Sequence, residues 1–307
     1  MSKNFAVVGV GGYVAPRHLK AIQETGNRLI AAVDPNDSVG VLDRYSYDVR
    51  YFREIERFDR HLDKLRRGPA EHRIEWVSVC SPNYLHDAHI RLALRNEANA
   101  LCEKPIVINP WNLDALQELE RETGRQVLTV LQLRVHPQLI ALRDRLRARP
   151  RGHRAQVSMT YVTARGPWYQ VSWKGSPEKS GGIATNIGVH LFDLLIWLFG
   201  APGRSVLTVN DRSSMGGELE LSDADVRWFL STQRADLPPE VREKGGSTHR
   251  LVSIDGAPVE FSEGFTDLHT EVYRRTLAGE GFGIEDARAS IELVSRIRSQ
   301  AAATRTE

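Results

Sequence analysis

The chain has 307 residues, 41% of them hydrophobic, which suits about two domains with cores of their own and excludes global disorder. Lys and Arg number 41 against 39 Asp and Glu, a formal charge of +2, and acidic residues accompany most basic runs, so a nucleic-acid partner is not expected. Two cysteines, Cys80 and Cys102, exclude a disulfide-built scaffold and suit a cytoplasmic setting.

Met1 to Asn4 lead straight into Phe5–Val10, an apolar strand-like run, with no signal-type stretch before it. A helix-compatible segment follows from Pro16 to Glu24, then a second apolar run, Leu29–Val33, ending at Asp34. Arg53–Arg67 repeats apolar residues at helical spacing through Ile55, Phe58, Leu62 and Leu65, and Gly68-Pro69 ends it. Ile74–Cys80 resumes the strand pattern, followed by a helix over Leu85–Arg95 and a short strand at Ala100–Glu103. Asn109-Pro110 has the chemistry of an N-cap and first helical position, Gly124 of a terminator, and Val127–Gln132 of a further strand. Short apolar strands alternating with helices predict a doubly wound α/β domain over residues 1–133.

The pattern changes beyond it. Ala155–Thr163, Val206–Ser213, Glu218–Ser222, Val226–Arg234 and Arg250–Ile254 are strand-like, while Ile183–Phe199 and Phe265–Ala278 are the clearest helices. Residues 134–307 therefore predict an α+β domain with a mostly antiparallel sheet covered by helices, whose free face suits subunit packing. Ile284–Arg298 reads as a terminal helix able to pack back on the first domain, and Ala301–Glu307 as a frayed tail. The longest apolar tract, Ile187–Phe199, contains His190 and Asp193 and reads as too short and polar for stable membrane insertion.

Gly9-Val10-Gly11-Gly12-Tyr13-Val14 lies between the first strand and helix. Gly9 permits a tight turn, Gly11 lets backbone approach a pyrophosphate, and the helix terminus adds amide donors. Val14 stands where a third glycine is usual, so packing there must accept a side chain. Asp34, about 20 residues beyond the turn, can bind ribose hydroxyls and repel an added 2′-phosphate, which favours NAD over NADP. This is the pattern of a Rossmann domain. Pro35 and Ser38 lie in the turn expected around the adenosine end. The loop Cys80-Ser81-Pro82-Asn83, with Ser81 and Asn83 as donors and acceptors, His86 beside it, Glu103, Lys104 and Gln132 complete the expected cofactor contacts.

Lys104 follows a strand in a chain with seven lysines and 34 arginines. It can orient a substrate hydroxyl and stabilise developing charge, or it can be a surface cation paired with Glu103. In the second domain Asn186, His190 and Asp193 fall at helical spacing on one face. His190 can accept a hydroxyl proton, Asn186 can orient a sugar and Asp193 can hold the ring; a satisfied core histidine is the alternative. Arg165, Tyr169, Trp173 and Lys174 suit a carboxylate or diphosphate and a sugar ring, and Arg134 and His136 border the domain junction. His86, His89, His136 and His190 lack a metal-ligand spacing, so no metal is expected.

These motifs resemble the glucose–fructose oxidoreductase, inositol dehydrogenase and rhizopine-catabolism-protein superfamily. The matching segments are Gly9-Val10-Gly11-Gly12, Cys80-Ser81-Pro82-Asn83, Glu103-Lys104-Pro105 and Gly188-Val189-His190 with Asp193. A closer resemblance is to bacterial UDP-N-acetylglucosaminuronate 3-dehydrogenases, carried by Gly11 to His18, Phe58 to Leu62, Arg165 to Tyr169, Ser172 to Gly175 and Ser180 to His190. Asn186 departs from the Asp of several superfamily members. The resemblance implies NAD-dependent oxidation of a UDP-sugar uronate at C3, with Lys104 and His190 catalytic and Arg134, Arg165, Tyr169, Trp173 and Asn186 near substrate. It further implies a homotetramer and a separate aminotransferase that receives the keto product for a polysaccharide sugar. Oxidation of another sugar or of inositol, and a non-catalytic dinucleotide-binding role, are the competing readings.

Overall fold

A computed structural model describes residues 2–150, 152–259 and 267–301. In chain order the first stretch contains β1 (Asn4–Val8), α1 (Ala15–Glu24), β2 (Arg28–Val33), β3 (Arg50–Phe52), α2 (Ile55–Arg67), β4 (Trp76–Val79), α3 (His86–Arg95), β5 (Asn99–Cys102), α4 (Trp111–Thr123) and β6 (Val127–Thr129). The second holds α5 (Pro137–Arg147), β7 (Ala155–Thr163), α6 (Trp168–Val171), α7 (Pro177–Ser180), α8 (Val189–Phe199), β8 (Pro202–Asn210), β9 (Ser214–Leu221), β10 (Ala224–Ser231), α9 (Pro239–Glu243), β11 (Thr248–Ile254) and β12 (Ala257–Pro258). α10 (Leu268–Leu277), β13 (Phe282–Gly283) and α11 (Ile284–Arg298) follow. Of the expected segments, Phe265 and the tail beyond Ala301 lie outside the described residues.

The chain divides into two compact units, Met1–Val135 with Phe265–Arg288, and His136–Gly264 with Ala289–Glu307. The first contains a seven-stranded sheet in the order β13-β6-β5-β4-β1-β2-β3, parallel except where β13 meets β6. Its apolar strands are covered on both faces, so Phe5, Val7, Ala32 and Leu101 are almost entirely buried. A single domain boundary does not describe this unit, because α10 returns to it. Tyr273 on α10 packs its ring 5.7 Å from Phe5, and Leu268 and Val272 join the same core. The sequence pattern could not show this, since an amphipathic helix carries no label for the sheet it covers. Two short strands, β3 and β13, were also unmarked. Each has three residues or fewer, below the length at which alternation can be read.

Two ends differ from expectation. α4 begins at Trp111 with Pro110 as its cap, one residue later than Asn109-Pro110 suggested. Gly124 closes it at φ 63°, the left-handed conformation glycine adopts at little strain. Gln132 opens a 3₁₀ turn through Val135 instead of ending a strand.

The second unit has a six-stranded sheet, β12-β11-β7-β10-β9-β8. β7 and β10 are parallel and every other neighbour is antiparallel. α8 lies in this unit's core, with Phe192 edge-on to Trp228 of β10 at 5.2 Å. The segment before it, Ala184–Gly188, is a π-helical turn, and a Cβ on Gly188 would stand 2.6 Å from Leu230 Cδ1. A side chain there would push the Leu230 and Phe192 side chains aside, so glycine lets this turn pack closely over β10. Pro177–Phe199 is long and apolar enough to cross a membrane by length and composition, which corrects the reading of this tract as too short and polar. Within it 72% of the most apolar window is buried in the protein, and Gly181 and Gly182 take φ 79° and 73°, as fits a core segment.

Candidate active site

In the first unit the C-terminal ends of β1, β2, β4 and β5 carry the expected cofactor residues. Gly9 sits at φ 83°, and a Cβ there would lie 2.6 Å from Ser81 N and 2.7 Å from Cys80 C. Only glycine lets the turn after β1 lie against the loop after β4. Gly11 N donates to Asp34 Oδ2 at 2.9 Å, and Asn36 N donates to Oδ1 at 2.8 Å. The carboxylate that would meet a ribose therefore already borders the turn that would meet a pyrophosphate, and a Cβ on Gly11 would crowd it at 3.2–3.4 Å. Gly12 N closes the turn onto Gly9 O. This open cradle of backbone amides and one carboxylate fits a dinucleotide.

Val14 caps α1 and packs partly buried against the core, so the helix tolerates it in place of glycine. Tyr13 is 89% exposed, with the Arg17 guanidinium 5.7 Å from its ring. Pro35 and Ser38 are exposed, and Ser38 N donates to Asn36 Oδ1. Tyr51, absent from the sequence-based set, anchors this turn from β3 by donating between the carbonyls of Asp34 and Asn36 at 2.7 and 2.9 Å.

Around β4, Cys80 is buried and its thiol is pushed well up by burial and then by Glu103, which fits packing and not reactivity. Ser81 Oγ and His89 Nδ1 share a hydrogen bond of 2.8 Å, and Asn83 lies buried in the turn before α3. His86 is buried beside this loop. It is 1% exposed, and its Nε2 and Nδ1 reach the carbonyls of Ser81 and Pro105, each at 2.7 Å. Burial lowers its pKa, while the hydrogen bonds to the two carbonyls work to raise it. His86 thereby ties the loop after β4 to the loop after β5.

Glu103 is also buried, and it is not the partner of the Lys104 side chain. Its Oε1 receives His18 Nε2 at 2.9 Å and His269 Nε2 at 2.8 Å, and its Oε2 receives the Lys104 backbone N at 3.2 Å. Burial works to raise the carboxyl pKa, but the hydrogen bonds from the two histidines prevail and hold it well below the usual carboxylate range. Burial lowers the pKa of His18, which is therefore neutral. Since an ionised carboxylate only accepts, His18 Nε2 donates and its Nδ1 accepts from Tyr273 Oη at 2.8 Å. Tyr273 Oη in turn accepts from Ser78 Oγ at 2.6 Å. His18, Glu103 and His269 also bring three ligand-type atoms within 4.8 Å of one another. The spacings of 2.8 and 2.9 Å between them are hydrogen-bond lengths, which an ion would first have to open.

Lys104 is half-buried, and among the described residues no carboxylate lies within 4 Å of its Nζ. Among the described residues Gln132 Oε1 is buried without a donor. Arg134, expected near substrate, is held within the first unit by Asp286. It is 8% exposed, donates to Asp286 Oδ1 and to the Asp286 carbonyl, and covers the Phe282 ring.

The second unit brings most of its candidates together. Asn186 Nδ2 donates to Tyr169 Oη at 2.7 Å, joining the π-helical turn to α6. Burial raises the Tyr169 pKa. His190, at the start of α8, meets the Tyr161 ring edge-on at 5.7 Å, and Arg250 lies 5.0 Å from the same ring. Tyr161 and Arg250 were missed; both are on strands, and only the pairing of β7 with β11 places them opposite each other. Lys174 Nζ sits 4.5 Å above Trp173 and 5.7 Å above Trp168. Burial and then Arg165 lower its pKa, and among the described residues neither cation has a carboxylate within 4 Å. Two near cations without counter-charge, bordered by indoles, suit an anionic sugar derivative.

The sequence matches the description "Oxidoreductase family, NAD-binding Rossmann fold" over residues 3–131 and "Oxidoreductase family, C-terminal alpha/beta domain" over residues 153–232. It is also 48% identical to the WlbA (WbpB) dehydrogenase of Thermus thermophilus, covering 99% of this chain and 97% of that one, with a TM-score of 0.94. The chain belongs to the GFO/IDH/MocA oxidoreductase family. That T. thermophilus protein has been crystallised with NAD and α-ketoglutarate, and with NAD and UDP-GlcNAcA. The WlbA dehydrogenase of Bordetella pertussis, 18% identical over 96% of this chain and 94% of its own, shares the fold at a TM-score of 0.77. A 2,7-anhydro-N-acetylneuraminate hydratase of Mediterraneibacter gnavus is 26% identical over 80% of this chain, which spans 62% of that relative's length. Membership of this oxidoreductase family accords with an N-terminal Rossmann unit and a helix-covered, largely antiparallel second sheet.

Proposed function

We propose that the protein oxidises the C3 hydroxyl of UDP-2-acetamido-2-deoxy-D-glucuronate, with NAD as acceptor, to the 3-keto sugar nucleotide. The observation that carries the reading is 48% identity across nearly the whole of both chains to a dehydrogenase crystallised with NAD and UDP-GlcNAcA. When bound, NAD supplies the acceptor for the hydride leaving C3. Gly9, Gly11 and Gly12 would face its pyrophosphate, Asp34 its adenosine ribose, and Gln132 Oε1 is suited to an amide donor. Lys104 and His190 are the two groups proposed to handle the C3 hydroxyl proton. An ammonium without a carboxylate partner can stabilise negative charge developing on that oxygen, and an imidazole can take the proton near neutral pH. Arg165 and Lys174 would neutralise the uronate or diphosphate, Trp173 would pack on the sugar, and Tyr169 would hold Asn186 toward it.

The same reading includes a cytoplasmic homotetramer and transfer of the keto product to a separate aminotransferase, because a ketone is the substrate that transamination requires. The test is incubation of the purified protein with UDP-GlcNAcA and NAD, with α-ketoglutarate added in a parallel sample to reoxidise any retained NADH. A product two hydrogens lighter than the substrate supports the proposal. Oxidation of myo-inositol or another UDP-sugar, with UDP-GlcNAcA untouched, would contradict it.

A further inference from the structure

Five polar residues of the first unit form one buried network: Ser78, Tyr273 and His18 are fully buried, and Glu103 and His269 are 6% exposed. The network begins on β4, crosses α10 and α1, and ends on the carboxylate at the end of β5. Burying polar groups is unfavourable unless each is paired, and well-packed apolar residues would stabilise a core at least as well. What apolar residues could not do is hold one particular peptide in place. We infer that Glu103, clamped by His18 and His269, is the positioning residue that fixes Lys104 relative to the glycine turn. The inference rests on the function proposed above.

Three features support it. Glu103 Oε2 accepts the backbone N–H of Lys104, and His86 reaches the carbonyl of Pro105, so the peptide is anchored on both sides of Lys104. The Lys104 ammonium has no carboxylate within 4 Å among the described residues, so its backbone, and not an ion pair, sets its position. His18 lies on α1, whose first turn follows Gly9 to Val14, so one carboxylate joins the proposed pyrophosphate cradle to the proposed catalytic lysine. A carboxylate suits the task because it offers acceptors to three donors at once. Glutamine has nearly the same volume but would turn an NH₂ group toward either the imidazoles or the Lys104 N–H, setting donor against donor.

The seven lysines make a direct readout practicable. In the full-length, NAD-loaded protein, reductive ¹³C-methylation gives resolvable dimethyl-lysine signals, with that of Lys104 assigned by its loss in Lys104→Arg. The expected Lys104 signal is single and offset in the parent, and in Glu103→Gln it moves to the position of exposed lysines while the others stay. An unchanged Lys104 signal in Glu103→Gln overturns the inference. Turnover of UDP-GlcNAcA should fall on the order of 100-fold in Glu103→Gln with KM little changed, and the loss should vanish in a Lys104→Ala background. An equal loss in that background overturns the inference as well.

Should Glu103→Gln not fold, the pair His269→Gln and His269→Leu asks the same question. The glutamine keeps an N–H donor and should keep the Lys104 signal, whereas leucine should release it; identical behaviour contradicts the clamp. Metal analysis is the remaining arm: a stoichiometric ion lost in His18→Gln would replace the hydrogen-bonded clamp with a metal site. If the parent protein fails to oxidise the sugar, the proposed function falls while the labelling result still decides the positioning of Lys104.

Discussion

At the scale of single residues, two neighbours in sequence carry opposite electrostatic tasks. Glu103 is a buried anion satisfied by donors, and Lys104 has no carboxylate within 4 Å among the described residues. Lys104→Ala and His190→Ala should each lower kcat on UDP-GlcNAcA by about 10²–10⁴-fold with the fold retained, measured by NADH formation and circular dichroism. Asp34→Ala should weaken NAD binding by about tenfold and narrow the gap to NADP, since the proposed ribose acceptor and its repulsion of a 2′-phosphate would both be lost. Calorimetric titration with both dinucleotides reads this.

The buried His89 gives a stability prediction. Burial, with His86 adding repulsion, lowers its pKa from 6.5 to about 4. Between those values the unfolded chain binds a proton that the folded one refuses, so this group makes stability fall as pH falls from 6.5 toward 4. At pH 5 the loss amounts to about 2 kcal/mol. Urea unfolding at pH 7 and pH 5 should show that difference, reduced in His89→Leu. The positions of Lys104, Asp34 and His190 were legible in the sequence because each stands at the end of a strand or the start of a helix. His18, His269 and Tyr273 were not. Their meaning depends on a carboxylate far away in sequence, and a lone histidine on an amphipathic helix looks like any other.

At the scale of elements, the glycine turn is the most constrained piece. Gly9→Ala would force a Cβ to 2.6 Å from the Ser81 amide at a positive φ, so a destabilisation of about 2–4 kcal/mol is expected in thermal or urea unfolding. The strand–helix alternation was readable because period and length differ sharply between apolar strands and amphipathic helices. The destination of α10 was hidden, since helical spacing shows which face is apolar and not which sheet it will cover. A testable consequence follows. Residues 1–135 alone should remain without fixed tertiary structure by near-ultraviolet circular dichroism, because Leu268, Val272 and Tyr273 complete the core around Phe5. A fragment that adds residues 265–288 through a flexible linker should recover it.

At the scale of the whole molecule, two kinds of sheet divide the tasks. A parallel sheet gathers loops at the ends of its strands, where backbone amides and a few side chains can meet a dinucleotide. A largely antiparallel sheet supplies a broad frame for the proposed anionic sugar site of Arg165, Lys174, Tyr169 and Asn186. The fold was legible early because the two patterns change near Arg154. The sugar was not legible from charge or spacing; the resemblance of motifs such as Arg165 to Tyr169 and Ser180 to His190 implied it, and 48% identity over nearly the full chain supports it. The most direct test uses UDP-GlcNAcA deuterated at C3. The deuterium should move to the nicotinamide ring and be absent from a 3-keto product. Deuterium retained in a sugar oxidised at another carbon would contradict it.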